Sequence, residues 1–493
     1  MKLKISRPRP LGATALLTDL YQLTMAYGYW KAGRADQEAV FHLLFRKQPF
    51  HGGFTLACGL ADVIDYLRGF RFQKSDREYL ASLQGNDGKR LFDPAFVKYL
   101  GKLKLSLDVE AIPEGTVVFP QEPLLRIRGP ILQGQLVETA LLNLVNFQSL
   151  IATKAARVCL AAQGDPVVEF GLRRAQGVDG ALTASRAAYV GGCVGTSNVL
   201  AAKIFGIPVK GTHAHSWVMS FENEPEAFHA YAEALPNNCI FLVDTFDTLK
   251  GVRNAIAVGR QLQKQGHQLG GIRLDSGDLA YLSIEARKLL DAAGVKRTAL
   301  VGRNDLNEHM ITSLKQQGAK IDVWGVGTML VTAFDQPALG GVYKLSAIRK
   351  PDGTWAHKIK LSEQAAKVTN PGLLNVSRFR RGREVIGAAI YDETQPVPGE
   401  ITIVDPTDPT RRKHFTRATK HEDLLVPVFR KGKLVYAAPA LAQIRARGQE
   451  QLARLHPGIK RLENPHRYPA GLELGLHDFK TKLILQAKGE LPA

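Results

Sequence analysis

The segment GTHAHSWV carries two histidines, His213 and His215, separated by one residue at the end of the apolar run IPVKG. Side chains two positions apart on a strand point to the same face, so the pair could be half of a metal site. It could equally be a nucleophile pair, a substrate clamp or two structural loop histidines. A zinc site takes three protein ligands as a rule. The metal-hydrolase alternative is weak because the later strand ends offer Asp, Arg, Asn and Gly but no further histidine.

Polar or flexible residues also stand where other strand-like segments of the central zone end. These positions are Glu169, Thr212 with His213, Asp244, Arg273 with Asp275, Asn304, and Gly325 with Gly327. In parallel β-α folds the active site is built from the loops at the carboxyl ends of the strands. Their convergence therefore predicts a site, although each residue alone could be a helix cap. Asp278 is expected to cap the following helix, and Asp275 could do the same.

The residue types at these strand ends indicate an anionic ligand. Arginines at 173, 174 and 273, together with the GVGT turn, offer cationic side chains and backbone N–H groups of the kind that phosphate sites use. Asp244 and Asp275 could hold Mg²⁺ through water or accept from ribose hydroxyls, and no residue is assigned as a direct metal ligand. Together these features predict a phosphorylated sugar bound with magnesium.

The chain that positions these residues divides into three predicted zones. Residues 1–150 form an α+β zone, with a capping box from Ser75 to Glu78 and with Asp93 and Pro94 opening another helix. Residues 151–340 alternate strand-like and helix-like segments, which predicts parallel β-α units in a barrel or a doubly wound sheet. Residues 341–493 are strand-rich and end in a helical region from about Ala437.

Composition narrows the class of protein. The chain has 493 residues, 45% of them hydrophobic, and 65 Lys and Arg against 46 Asp and Glu. The basic residues concentrate in the last third, in segments such as SRFRRGRE and PTRRKHFTR, but aromatic residues are sparse there, so nucleic-acid binding is a minor alternative. Four cysteines without a Cys-x-x-Cys pair indicate reduced thiols, and no signal peptide or membrane-spanning run is visible. We expect a cytoplasmic protein without a membrane partner.

Seven motifs, in order, resemble the nicotinate phosphoribosyltransferase family. They are TDLYQLTMAYGYWKAGR, EFGLRRAQG, GGCVGTSNVLAAKIFGIPVKGTHAHSWV, LVDTFDTLKGV, GIRLDSGDL, GVGTMLVT and LGGVYKL. They run from about Leu16 to Leu374, and the last hundred residues are supported only by order and length. The resemblance implies transfer of phosphoribosyl from phosphoribosyl pyrophosphate (PRPP) to nicotinate in NAD salvage, coupled to ATP hydrolysis and using Mg²⁺. It also implies a type II phosphoribosyltransferase fold, in which an irregular α/β barrel joins an open-faced α/β sandwich, and a homodimer with shared active sites.

The resemblance further assigns roles to single residues. Tyr21 would stack on the pyridine ring from the neighbouring subunit, and Phe170 would form the opposite wall. His215 would be the histidine that ATP phosphorylates, and His213 would select the carboxylate where nicotinamide-using relatives have an acidic residue. The remaining implied site residues are Arg173, Thr212 and Arg273 for nicotinate and phosphate, Asp275 near the ribose, and Gly325, Gly327 and Thr328 for the sugar phosphate. Asp244 is a candidate substrate-binding residue from its place at a strand end alone. Transfer to nicotinamide remains an open alternative.

Overall fold

The structure is a computed structural model that describes residues 14–364, 367–396 and 399–492. The chain forms two compact units: unit 1 comprises Met1–Leu150 and Ala338–Ala493, and unit 2 comprises Ile151–Pro337. The first and third zones of the sequence therefore lie in one unit.

The helices and strands follow the chain in three groups. The N-terminal part of unit 1 contains α1 (Leu20–Lys31), β1 (Glu38–Phe45), β2 (Thr55–Leu56), α2 (Leu60–Gly69), α3 (Lys74–Ser82), α4 (Pro94–Lys102), β3 (Asp108–Ala111), β4 (Val117–Val118), β5 (Leu125–Pro130), α5 (Ile131–Leu136) and the start of α6 (Glu138–Ala161). Unit 2 contains the end of α6, then β6 (Val167–Glu169), α7 (Gly177–Val190), β7 (Gly195–Thr196), α8 (Val199–Phe205), α9 (His215–Met219), α10 (Glu224–Ala234), β8 (Ile240–Leu242), α11 (Thr248–Lys264), β9 (Gly271–Leu274), α12 (Leu279–Ala292), β10 (Ala299–Gly302), α13 (Glu308–Gln316), β11 (Val323–Val326) and α14 (Thr328–Val331). The C-terminal part of unit 1 contains β12 (Gly341–Arg349), β13 (Trp355–His357), β14 (Leu374–Arg381), β15 (Glu384–Asp392), β16 (Ile401–Asp405), β17 (Asp408–Phe415), β18 (Lys420–Asp423), β19 (Val426–Arg430), β20 (Lys433–Leu434), α15 (Leu441–Ala453), β21 (Ala470–Glu473) and α16 (Leu474–Ala487).

Unit 2 is built around a parallel sheet in the order β7-β6-β11-β10-β9-β8. The segment from Pro208 to His213 contacts both the first strand of this order, β7, and the last strand, β8. It pairs with β7, where Thr196 N donates to Pro208 O at 3.0 Å and Lys210 N donates to Thr196 O at 2.9 Å. At its other end the Nε2 atom of His213 accepts from Leu242 N on β8 at 3.3 Å. The result is the irregular α/β barrel that the sequence predicts.

Side-chain caps start several helices of the barrel immediately after the strand-end loops. Asp278 accepts from Tyr281 N at 3.0 Å, which confirms its predicted role at the start of α12. The same contact is made by Asn198 for α8, Asp247 for α11 and Asn307 for α13. Each cap satisfies a backbone N–H that has no partner within the helix, so these polar side chains stabilise helices rather than bind ligands.

Unit 1 contains an antiparallel sheet in the order β13-β12-β1-β5-β3-β19-β20. Its strands come from both ends of the chain, which is why the first and third zones share one unit. A second sheet has the order β17-β16-β21-β15-β14-β18, with β15 and β21 parallel. Its core is formed by Phe379, Ala389, Ile401, Ile403 and Phe415.

Two predictions about helix boundaries need correction, and one is confirmed. Helix α3 begins at Lys74, and its capping box is formed by Gln73 and Asp76, with Gln73 N donating to the Asp76 carboxylate at 2.8 Å. The box predicted from Ser75 to Glu78 is wrong because Ser75 already lies inside the first turn. Asp93 caps α4 and Pro94 is its first residue, as predicted. The predicted C-terminal helical region is interrupted by β21.

No helix in the described part of the chain is both long and apolar enough to cross a membrane.

Candidate active site

Arg273 and Asp275 form the centre of a charged network at the strand ends of unit 2. The Arg273 side chain is largely buried; its Nε donates to Asp275 Oδ1 at 3.2 Å, and its terminal nitrogen donates to Thr212 Oγ1 at 2.6 Å. Arg303, directly after β10, donates to Asp275 Oδ2 at 3.4 Å. Asp275 is therefore held between two guanidinium groups, and the alternative that it only caps α12 is wrong.

Asp244, directly beyond β8, contacts the same network with one of its two carboxylate oxygens. Its Oδ2 accepts from Asp275 N at 2.8 Å and from Ser276 Oγ at 2.7 Å. Its Oδ1 is buried and has no hydrogen-bond partner among the described residues. One oxygen thus fixes the carboxylate, and the other remains for a ligand.

His215 is the first residue of α9 and is half-buried. Its Nδ1 lies 3.1 Å from Thr245 Oγ1, in the loop that follows β8. When Nδ1 carries the proton and donates to this hydroxyl, Nε2 is unprotonated and can act as a nucleophile.

His213 lies in different surroundings, although it is only two residues away. Its Nε2 accepts from Leu242 N at 3.3 Å, and its Nδ1 lies 3.4 Å from Ala214 O. The ring packs edge-on against Tyr231 at 4.9 Å. Burial, with smaller contributions from Arg273 and His215, lowers the pKa of His213 to about 4, so the ring is neutral at pH 7. These contacts support a structural role, and selection of a carboxylate by His213 stays a prediction.

Phe170 is positioned by the buried carboxylate of Glu169 and by Gly325 of β11. Glu169 accepts from Ser185 Oγ at 2.8 Å, Thr196 Oγ1 at 2.5 Å and Gly171 N, which fixes the turn after β6. A Cβ atom at Gly325 would lie 2.7 Å from the Phe170 ring, so a side chain there would displace the ring. The Arg303 guanidinium lies 5.6 Å from the ring centre of Phe170. The Phe170 ring can therefore form one wall of a pocket for a flat aromatic ligand.

The remaining predicted residues are distributed over both units. Arg173 is exposed on a short 3-10 helix after Phe170, and Thr328 begins α14 directly after Gly327. Tyr21 lies on α1 in unit 1, where its side chain is 47% exposed beside the exposed Leu20 and Met25. Partial burial, followed by Glu138, raises the pKa of Tyr21.

Several candidate residues escaped the sequence analysis. In unit 2 they are Arg303, Thr245 and Ser276, and the signal for Arg303 was its place directly after the strand ALVG. In unit 1, His42, Arg46, Lys344, Lys367 and Asn370 line a small cleft that we call the Lys344 cleft. Burial lowers the pKa of Lys344, and the nearby Arg46 and Lys360 lower it further. Crowding of positive charge in this cleft favours an anionic ligand.

Known proteins match this chain along nearly its whole length. The N-terminal domain, the family and the C-terminal domain models of nicotinate phosphoribosyltransferase (NAPRTase) match residues 16–146, 166–360 and 384–480. The chain is 42% identical to nicotinate phosphoribosyltransferase of Bacillus subtilis, over 97% of this chain and 96% of that protein. It is 39% identical to the Homo sapiens enzyme of the same name, over 92% of this chain and 94% of that protein. The crystal structure of human nicotinic acid phosphoribosyltransferase covers 94% of this chain and 99% of its own, with a TM-score of 0.82 and 36% identity. A nicotinate-nucleotide pyrophosphorylase from Pyrococcus furiosus shares the fold, with a TM-score of 0.68 and 22% identity, over 92% of this chain and 98% of its own. A charged network lies at the strand ends of the barrel, and the two relatives named above match 97% and 92% of this chain. The chain therefore belongs to the nicotinate phosphoribosyltransferase family.

Proposed function

We propose that the protein transfers phosphoribosyl from PRPP to nicotinate, giving nicotinate mononucleotide and pyrophosphate in NAD salvage, and that it couples this transfer to ATP hydrolysis. The observation that carries the proposal is the Thr212–Arg273–Asp275–Arg303 network at the strand ends, with Asp244 bonded to it. Fixed cations beside oriented carboxylates suit a sugar phosphate, and Phe170 offers a face for the pyridine ring.

Chemistry at the sugar requires positioning and charge neutralisation. As pyrophosphate departs, positive charge develops at the anomeric carbon, and nearby guanidinium groups neutralise the leaving charge. Arg273 and Arg303 are the guanidinium groups of this network, and both fix the Asp275 carboxylate, which faces the ribose in our proposal. The attacking pyridine nitrogen carries no proton, so no residue needs to act as a general base.

ATP coupling is assigned to His215. With Nδ1 bonded to Thr245 Oγ1, Nε2 attacks the γ-phosphorus of ATP. The bond between that phosphorus and the bridging oxygen of ADP breaks, and ADP leaves with the electron pair. The phosphoryl group on His215 then adds negative charge that can pair with arginine and order a loop over the site.

Magnesium fits the residues present because the buried Asp244 Oδ1 has no hydrogen-bond partner among the described residues. A carboxylate oxygen is the ligand type that Mg²⁺ prefers, alongside substrate phosphates and water. Asp244 is therefore the residue we expect to hold the ion. Asp275 is less available, since both of its oxygens accept from arginines. When bound, the ion would neutralise charge on the departing pyrophosphate.

Unit 1 supplies two further features that support the proposal. The exposed Tyr21 is available to stack on a pyridine ring held by a second copy of the chain, and we infer a homodimer with shared sites. The cations of the Lys344 cleft can bind phosphate oxygens of a substrate.

A product assay tests the proposed function. Nicotinate and nicotinamide are supplied side by side with PRPP and Mg²⁺, each with and without ATP. We expect nicotinate mononucleotide to form, faster with ATP, and little product from nicotinamide. Equal turnover of both pyridines would contradict the nicotinate assignment, and an unchanged rate without ATP would contradict the coupling.

A cytoplasmic location stays a prediction from the sequence.

A further inference from the structure

The basic segment PTRRKHFTR lies in the C-terminal part of unit 1 and has no role in the site described above. Most of it forms β17, which lines a cavity of about 240 Å³ together with the segment that precedes β21. We call this cavity the Arg467 cleft. Its charged and polar lining is Asp405, Arg411, Arg412, Lys413, His466, Arg467 and Tyr468. We propose that the Arg467 cleft binds the phosphate group of a phosphorylated small molecule, at a site separate from the strand-end network of unit 2.

The residues that line the Arg467 cleft carry more positive than negative charge. Arg411, Arg412, Lys413 and Arg467 contribute four cations, and Asp405 is the carboxylate among the lining residues. Asp405 Oδ2 accepts from Arg467 at 2.6 Å, and Oδ1 accepts from Thr407 N at 2.9 Å and Thr407 Oγ1 at 2.7 Å. Both oxygens of the carboxylate are thus engaged. The remaining positive charge is available to an anionic ligand.

Successive side chains of β17 point to opposite faces of the strand, which places two of these cations beside a buried aromatic ring. Arg411, Lys413 and Phe415 occupy alternate positions and so share one face of the strand. Phe415 on that face is buried and stacks on Phe379 with ring centres 4.0 Å apart. Lys413 Nζ is fixed by donation to Ile386 O at 2.6 Å. Burial lowers the pKa of Lys413, the nearby Arg381 lowers it further, and Glu384 offsets part of this lowering. A half-buried cation among other cations is costly, and a bound anion would offset that cost.

The adjoining cavity indicates what the phosphate is attached to. A cleft of about 390 Å³ shares His466, Arg467, Tyr468 and Ala470 with the Arg467 cleft. Its lining includes the apolar residues Phe119, Pro120, Pro406 and Pro465, and the cations Arg46 and Lys47. Phe119 and Tyr468 stack with ring centres 3.7 Å apart, which makes this wall rigid and flat. A volume in this range suits a small organic ligand.

The two cavities together therefore fit a phosphate ester such as a nucleoside monophosphate. The phosphate would lie between Arg411 and Arg467, where planar guanidinium groups can bind its oxygens in pairs. The organic group would extend over the apolar wall.

Binding measurements on the full-length protein test the proposal. Isothermal titration with AMP and with inorganic phosphate is compared for the wild type, the Arg411→Glu/Arg412→Glu variant and an Arg383→Glu control. Arg411, Arg412 and Arg383 are all exposed, and Arg383 lines neither cavity. For the wild type we expect two classes of AMP site, one of which weakens by roughly tenfold or more in the double variant and is unchanged in the control. Phosphate should compete for that class.

Three outcomes would overturn the proposal. Identical isotherms for the wild type and the double variant would exclude the cleft as an anion site. A parallel loss of nicotinate turnover in the double variant, measured without added anion, would show that the cleft belongs to the substrate site. Loss of affinity for a single-stranded oligonucleotide, with AMP binding intact, would identify a nucleic-acid surface instead. If the charge reversals prevent folding, Arg411→Ala provides the same comparison with a smaller change.

Discussion

His213 and His215 differ in the contacts that decide their chemistry. His213 is buried among aromatic rings, and its Nε2 accepts a backbone N–H from β8. His215 is half-buried, and Thr245 Oγ1 can accept a hydrogen bond from its Nδ1–H, which leaves Nε2 unprotonated for the phosphoryl transfer that we propose. In our proposal the two histidines therefore have different roles, a structural one for His213 and phosphoryl transfer for His215. The sequence pattern alone cannot separate these roles because the separating contacts come from β8 and its following loop.

Loss of either member of the His215–Thr245 pair should impair phosphorylation by ATP. We expect His215→Ala to abolish acid-labile phosphate incorporation from γ-labelled ATP. Thr245→Val should slow incorporation by about fivefold, since one orienting hydrogen bond contributes about 1 kcal/mol, and Thr245→Ser should restore it.

The serine variant distinguishes orientation from packing because it keeps the hydroxyl group and loses only the methyl group. Labelled phosphate on His215→Ala would disprove the phosphohistidine assignment. Equal rates in Thr245→Val and the wild type would remove Thr245 as a positioning residue and leave His215 unaffected.

At the scale of the elements, two loops of unit 2 use the same pattern of aspartates. In Asp244-Thr-Phe-Asp247 and in Asp275-Ser-Gly-Asp278, the first aspartate follows the strand and joins the charged network. The second caps the next helix. In each loop, therefore, one aspartate joins the charged network and the other, three residues later, caps a helix.

The two members of each pair should respond differently to substitution. Asp247→Ala and Asp278→Ala should lower the free energy of unfolding by about 1 kcal/mol each, with kcat nearly unchanged, because they remove only a helix cap. Asp244→Asn and Asp275→Asn should lower kcat by roughly a hundredfold or more, with little effect on unfolding. Urea unfolding and steady-state rates on the four variants provide the measurements. If Asp247→Ala or Asp278→Ala lost activity without a decrease in the free energy of unfolding, this division of roles between the aspartates would be contradicted.

Much of the barrel could be predicted because its strands and helices alternate in the sequence and its strand ends carry polar residues. The pairing of strands that are distant in the sequence could not be predicted, since no local pattern encodes it. β1 pairs with β12 about three hundred residues away, which merges the first and third zones in one sheet. Arg303 was missed for a related reason: its contact with Asp275 comes from strand order, which places β10 beside β9. The error at Ser75 was local, because Gln73 and Asp76 also fit a capping box.

For the whole molecule, the proposed dimer predicts complementation between two inactive variants. Tyr21 lies in unit 1 and Arg273 in unit 2, and the proposal places them in one site from two copies of the chain. Tyr21→Ala and Arg273→Ala should each be nearly inactive. After mixing and subunit exchange, one site of each mixed dimer carries neither substitution. Activity should then approach about a quarter of the wild-type value, since half the dimers are mixed. No recovery despite demonstrated exchange would contradict the shared site.

Acid sensitivity is a further property that a buried histidine gives to the whole molecule. Burial, with a smaller contribution from Arg126, lowers the pKa of His42 to about 3, and its Nε2 accepts from Leu374 N at 3.2 Å. An unfolded histidine has a pKa of about 6.5, so between these values the unfolded chain binds more protons than the folded chain. The free energy of unfolding is therefore fully retained above about pH 6.5 and falls as the pH decreases toward 3, by up to about 1.4 kcal/mol for each pH unit.

Replacement of His42 by glutamine tests this contribution, because a glutamine oxygen can accept from Leu374 N but does not titrate in this range. Urea unfolding at pH 7.5 and at pH 5 should show a smaller acid-induced loss for His42→Gln than for the wild type, by about 2 kcal/mol. His421→Gln is the matched control, since His421 is exposed in the same unit and should leave the pH dependence unchanged. An equal loss in all three proteins would mean that His42 is not the group whose protonation opposes folding. The acid sensitivity would then have to arise from other titrating groups, such as His213 in unit 2, whose pKa is also lowered by burial.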